Sequence, residues 1–175
     1  MSLQIFILGL LSEGEHHPYD IKKQVFKPLE NTITINDGTL YYNFEVLLKK
    51  GYIRKIKVVQ SENRPEKTTY GITDEGRRAL EEEIYAVFQN FTSITSLYSS
   101  LLFLDKVDKH KLAYIIEESI ARLEKKIRLI EERPGFSEVP DRYRDSALFI
   151  SEHAYQALSN DANWLRKLME HLRSA

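Results

Sequence analysis

Along the first ninety positions the spacing of apolar residues is helical, turns extended once, and then becomes helical again. Leu3, Phe6, Ile7, Leu10 and Leu11 share one face of a 3.6-residue repeat and predict a buried first helix over about residues 2–11. Gly14 breaks that pattern, and Pro18 suits the first turn of a second helix reaching about Leu29. In it Tyr19, Val25, Phe26 and Leu29 can face inward while Lys22, Lys23 and Lys27 look out. A short connector over residues 30–36 leads to a third helix, with Asp37 expected as its N-cap and Gly51 as its terminator. Leu40, Phe44, Leu47 and Leu48 fall on its inner face. Thr39, Tyr42, Val46 and Lys49 oppose them, and Tyr41, Asn43 and Lys50 lie on the flanks.

After Gly51 the period drops to two. Residues 53–60 are rich in β-branched side chains, and Thr68, Tyr70 and Ile72 alternate within residues 67–73. The intervening Ser-Glu-Asn-Arg-Pro-Glu stretch is turn chemistry, so these strands predict a hairpin with Arg64 near its tip. Thr73-Asp74-Glu75 then caps a fourth helix continuing through Phe91. Residues 92–104 form a strongly apolar segment. A helix from about Asp108 to Arg133 carries Leu112, Ile116, Ile120, Leu123, Ile127 and Ile130 at near-heptad spacing. The turn at residues 133–136 precedes a last long helix beginning at Pro140-Asp141 and containing Ile150, Tyr155, Leu158, Leu165, Leu168 and Leu172.

The expected fold is therefore mainly α with a small β-hairpin. Residues 1–83 form a winged helix-turn-helix domain, and residues 84–175 an all-α dimerisation domain. Long apolar stripes with no third layer call for a partner, and a second copy is the economical one.

Charge sharpens this picture. Net charge is only −1, yet residues 49–78 hold nine Lys and Arg against four Asp and Glu. A basic hairpin directly after an amphipathic helix is a wing suited to a phosphate backbone. The outer face of the third helix carries hydroxyls, an amide and terminal lysines, the side chains that meet base edges and phosphates. The candidate DNA contacts are thus Tyr19, Lys22, Thr39, Tyr41, Tyr42, Asn43, Lys49, Lys50, Arg64 and Lys67. The competing reading is a winged-helix module that binds protein. That reading expects exposed apolar anchors where lysines and arginines dominate here.

Other chemistry finds little support. With no cysteine there are no thiolate metal sites or thiol nucleophiles, and the composition suits a reducing cytoplasm. No phosphate-cradling glycine loop, zinc-protease helix or nucleophile elbow occurs, so neither an enzyme nor a cofactor is expected. His16 and His17 are adjacent without further ligand spacing, so a metal site is not expected either. The apolar amino-terminal run of about eleven residues is too short to span a bilayer and lacks a basic leader.

Together Ile7-Leu8-Gly9-Leu10-Leu11, His17-Pro18-Tyr19-Asp20-Ile21, Gly38-Thr39-Leu40-Tyr41, Arg64-Pro65 and Tyr70-Gly71-Ile72-Thr73-Asp74-Glu75-Gly76-Arg77-Arg78 resemble the PadR-like family of bacterial winged-helix transcriptional regulators. The helical second half resembles the subfamily with a long C-terminal dimerisation domain. Three positions depart from the family pattern: Tyr42 where proline is frequent, Asn63 where a wing glycine is common, and Thr69 where an aromatic is frequent. The resemblance implies a homodimer bound to a palindromic operator in double-stranded DNA, usually as a repressor. It also implies a small aromatic effector, for which Phe91, Tyr98, Phe103 and Trp164 are the candidate lining, core packing being the alternative role for such a cluster.

Overall fold

In the computed structural model, residues 2–25, 37–61, 64–132 and 135–174 are described, and the side chains of 22–25, 58–61 and 64–67 lie outside that description. The elements in order are α1 (Leu3–Glu13), α2 (Pro18–Val25), α3 (Asp37–Lys49), β1 (Ile53–Ser61), β2 (Arg64–Ile72), α4 (Asp74–Gln89), α5 (Tyr98–Leu101), α6 (Lys109–Glu131) and α7 (Asp141–Ser174). Contacts divide the chain into two compact units, Met1–Val87 with Ser96–Val107, and Phe88–Thr95 with Asp108–Ala175. No helix among the described residues is long and apolar enough to cross a membrane.

In the first unit, α1 starts on Ser2, whose hydroxyl accepts the Ile5 N–H at 3.3 Å. Its buried set is Ile5, Phe6, Ile7, Leu8, Gly9 and Leu11, whereas Leu3 and Leu10, expected inside, are only half-buried. The single-stripe expectation fails because α3, β2 and α5 all pack against α1, enclosing it on several sides. Phe103 is one reason residue 9 is glycine: a Cβ there would stand 2.3 Å from the Phe103 ring, which also meets Phe6 edge-on at 6.2 Å. The apolar segment before α6 forms short 3-10 turns around α5, with Leu97 and Phe103 buried within the chain.

Leu40, Phe44 and Leu47 are the buried face of α3, as its periodicity predicts, and Leu48 is half-buried. Asp37 is the first residue of α3 instead of its cap, and the preceding connector lies outside the described residues. The end of α3 follows from Gly51 at φ 74°. Gly51 N–H bonds the Leu48 carbonyl and Tyr52 N–H the Leu47 carbonyl, each at 3.0 Å, a Schellman ending that turns the chain into β1. The strands pair antiparallel from Ile53 opposite Ile72 to Ser61 opposite Arg64, with an irregularity at Ile56. His16 adds a short third edge by exchanging backbone bonds with Tyr70 at 3.1 and 3.0 Å.

The second unit is built on α6 and α7. Asp108 caps α6 by accepting the Lys111 N–H at 2.8 Å, and Leu112, Ile115, Ile116, Ser119, Ile120 and Leu123 are its buried face. Ion pairs Arg166–Glu124 and Arg173–Glu117, both at 2.6 Å, fix the antiparallel register, since seven residues along one helix match seven along the other. Extending that register sets Glu131, the last residue of α6, opposite about Ser159. The first eighteen or so residues of α7, about 27 Å of helix, therefore run beyond α6.

Candidate nucleic-acid interface

Burying Leu40, Phe44 and Leu47 turns the opposite side of α3 to solvent. Thr39, Tyr41, Tyr42, Glu45, Lys49 and Lys50 are exposed there, Tyr42 most openly among the tyrosines at 65%. Asn43 is half-buried, and its amide donates back to the Thr39 carbonyl at 2.8 Å. That bond leaves the Asn43 carbonyl oxygen as the atom able to accept from outside the helix.

Tyr19, which helical periodicity sets on the inner face of α2 but which is also a candidate DNA contact, is exposed at the first turn of that helix. The cause is the His17 cap: His17 O accepts from Asp20 and Ile21 N–H, and His17 Nδ1 accepts from Tyr19 N–H at 3.1 Å. This orientation sets Pro18 and Ile21 inside and Tyr19 outside.

Tyr70 joins the wing to α3. Its ring meets Phe44 at 5.0 Å, and burial, reinforced by the Glu45 carboxylate and Tyr41, raises its phenol pKa above the ordinary tyrosine value. Arg54, Lys55 and Lys57 are exposed along β1. Arg64 and Lys67 lie on β2 and Lys22 on α2, while their side chains are among those outside the description.

The two lysines ending α3 differ. Lys49 is exposed, whereas Lys50 Nζ donates to Gln4 Oε1 at 3.2 Å and sits 5.5 Å from the centre of the Tyr52 ring. It is also the charge that partly offsets the burial of Glu83, whose carboxyl pKa is raised by desolvation. Periodicity placed both lysines at the helix end but could not separate them, because Gln4 and Glu83 are distant in sequence.

The four aromatics assigned to an effector divide between the units. Tyr98 and Phe103 belong to the first, where Phe103 packs on α1, and Phe91 and Trp164 to the second. Trp164 is half exposed with the Lys167 ammonium 4.4 Å from its ring centre. Two clefts within the second unit, of about 250 and 520 Å³, are lined by other α6 and α7 residues, among them Glu124, Arg128 and Arg166 in one and Lys109, Tyr114 and Arg173 in the other.

A family model described as the transcriptional regulator PadR-like family matches residues 7–82, from within α1 through the hairpin into α4. Residues 7–82 belong to the PadR-like family of transcriptional regulators. Among solved structures, a transcriptional regulator from Clostridium thermocellum is 30% identical, over 51% of this chain and 92% of that one, with a TM-score of 0.41. Bacillus subtilis PadR in complex with operator DNA is 18% identical, over 97% of this chain and 98% of that one, with a TM-score of 0.42. The same protein in complex with p-coumaric acid is 17% identical, over 98% of both chains, with a TM-score of 0.39. No curated protein matches the chain.

Proposed function

We propose that this PadR-like regulator is a cytoplasmic repressor that binds an inverted-repeat operator as a homodimer. The exposed outer face of α3 enters the major groove, and the basic wing lies on the adjacent backbone. The observation that carries the reading is the segregation of α3 itself: an apolar inner face against α1 and β1, and an outer face on which Thr39, Tyr42 and Lys49 are exposed and Asn43 is half-buried. A protein-binding module would present apolar anchors flanked by few cations, and β1 instead presents Arg54, Lys55 and Lys57.

The part of α7 beyond α6 supports the dimer. Tyr143, Leu148, Phe149 and Ile150 are exposed on it, Phe149 at 73% and Ile150 at 66%. At 100° per residue these side chains leave the helix in several directions, so no single groove of the same chain covers them, and a second copy of the arm does.

Selection of bound sequences from a random duplex library tests the function. Enrichment of an inverted repeat with half-site centres about 34 Å apart, or a multiple of that, is expected. Enrichment of a single unrepeated site, or none, would overturn it.

A further inference from the structure

Leu40, Phe44 and Leu47 are the buried side of α3, and opposite them Tyr42, Glu45 and Lys49 follow one another at spacings of three and four residues. Side chains so spaced form one row along a helix, and all three are exposed. The middle member of the row is negatively charged and stands about 4.5 Å further along the helix axis than Tyr42. Its carboxylate lies close enough to β2 to add to the effect of burial on the Tyr70 phenol. On a face that meets DNA this charge is unfavourable, because every duplex presents phosphates. The stretch that begins at Lys49 has the opposite character, with nine Lys and Arg against four Asp and Glu over residues 49–78. An ionised carboxylate only accepts hydrogen bonds, so its cost is offset only where a base presents a donor. In the major groove guanine offers two acceptors, and thymine an acceptor and a methyl group. Adenine sets its amino group beside the N7 acceptor, whereas cytosine offers its amino group alone.

We propose that Glu45 is a specificity-determining residue, accepting a hydrogen bond from the N4 amino group of a cytosine at one position in each operator half-site. This rests on the reading above that the outer face of α3 enters the major groove. The carboxylate acts in two directions: the bond favours cytosine, and guanine and thymine are rejected because their acceptor atoms would face its own. It also lowers affinity for DNA of unrelated sequence, where the charge meets phosphates with no donor in compensation.

The test uses the full chain with the selected operator, a series in which each base pair of the half-site is replaced in both halves, and a random duplex. For the native protein a cytosine position should be sensitive, its replacement weakening binding roughly tenfold. Glu45→Ala should bring that penalty to within about twofold of unity, leave the penalties at other positions in place, and tighten binding to the random duplex. Glu45→Gln should move the preference at the same position from cytosine to adenine, whose amino group and N7 an amide meets together. The melting temperature should be unchanged in both variants, since Glu45 is exposed. A carboxylate that served only as a partner for Lys49, four residues on, would change binding to every duplex alike. That uniform change, or native penalties in both variants, overturns the proposal. A native protein that binds without base preference overturns the reading of α3, and this inference with it.

Discussion

The backbone carbonyl oxygen of Tyr52 lies 2.0 Å from where a Cβ on residue 76 would stand, so the first turn of α4 closes on the end of α3 only through glycine. The Thr73 hydroxyl completes the joint, 2.7 Å from the Gly51 carbonyl and 3.1 Å from that of Tyr52, while accepting the Gly76 N–H at 3.0 Å. Gly76→Ala should destabilise the protein by roughly 1–3 kcal/mol, the usual cost of overpacking, because backbone cannot move aside as a side chain can. Denaturant titration checks this, and an unchanged midpoint would contradict it.

Lys49 and Lys50 should separate in salt titrations of DNA binding. Lys49→Ala should reduce the slope of log affinity against log salt by about one, as for a lost phosphate contact. Lys50→Ala should leave the slope intact and lower the melting temperature instead, since its ammonium is directed at Gln4 and Tyr52. Equal losses of slope would show that Lys50 turns to the backbone when DNA binds.

Glu83 offers a pH test. Its folded pKa is raised by burial, against a smaller opposing effect of Lys50, so the protonated form favours the folded state. That contribution is fully present below the unfolded glutamate pKa and is lost as pH rises through the folded value. Glu83→Gln should therefore raise the melting temperature at pH 7 and have little effect near pH 4. A larger gain at the acidic end would reverse the assignment.

The exposed arm of α7 predicts where the proposed dimer breaks. Phe149→Glu or Ile150→Glu should shift the protein toward monomer in sedimentation at micromolar concentration, since a buried, unpaired carboxylate at an interface is strongly unfavourable. Binding to a single half-site should persist. A stable dimer in both variants would move the interface elsewhere.

Much of this fold is legible in the sequence because its signals are local. The apolar face of α3, the positive φ at Gly51 and the Thr73 cap each follow from a few adjacent residues. What escapes is set by residues far apart. The enclosure of α1 depends on Phe103, the exposure of Tyr19 on a histidine cap that helical periodicity does not encode, and the register of α6 on α7 depends on Arg166–Glu124 and Arg173–Glu117. The segment around α5 reads as one apolar run, yet its turns bury Leu97 and Phe103 and leave Leu102 outside.

Reading of bases by the outer face of α3 is the central claim, and Tyr42 is its most exposed aromatic. The most direct measurement compares the affinity of Tyr42→Ala, and of Asn43→Ala, for the operator and for a random duplex of equal length at one salt concentration. Each is expected to lose about 1–3 kcal/mol on the operator with little change on random DNA and an unaltered melting temperature. Equal losses on both duplexes, or a fall in melting temperature without selective loss, would contradict it.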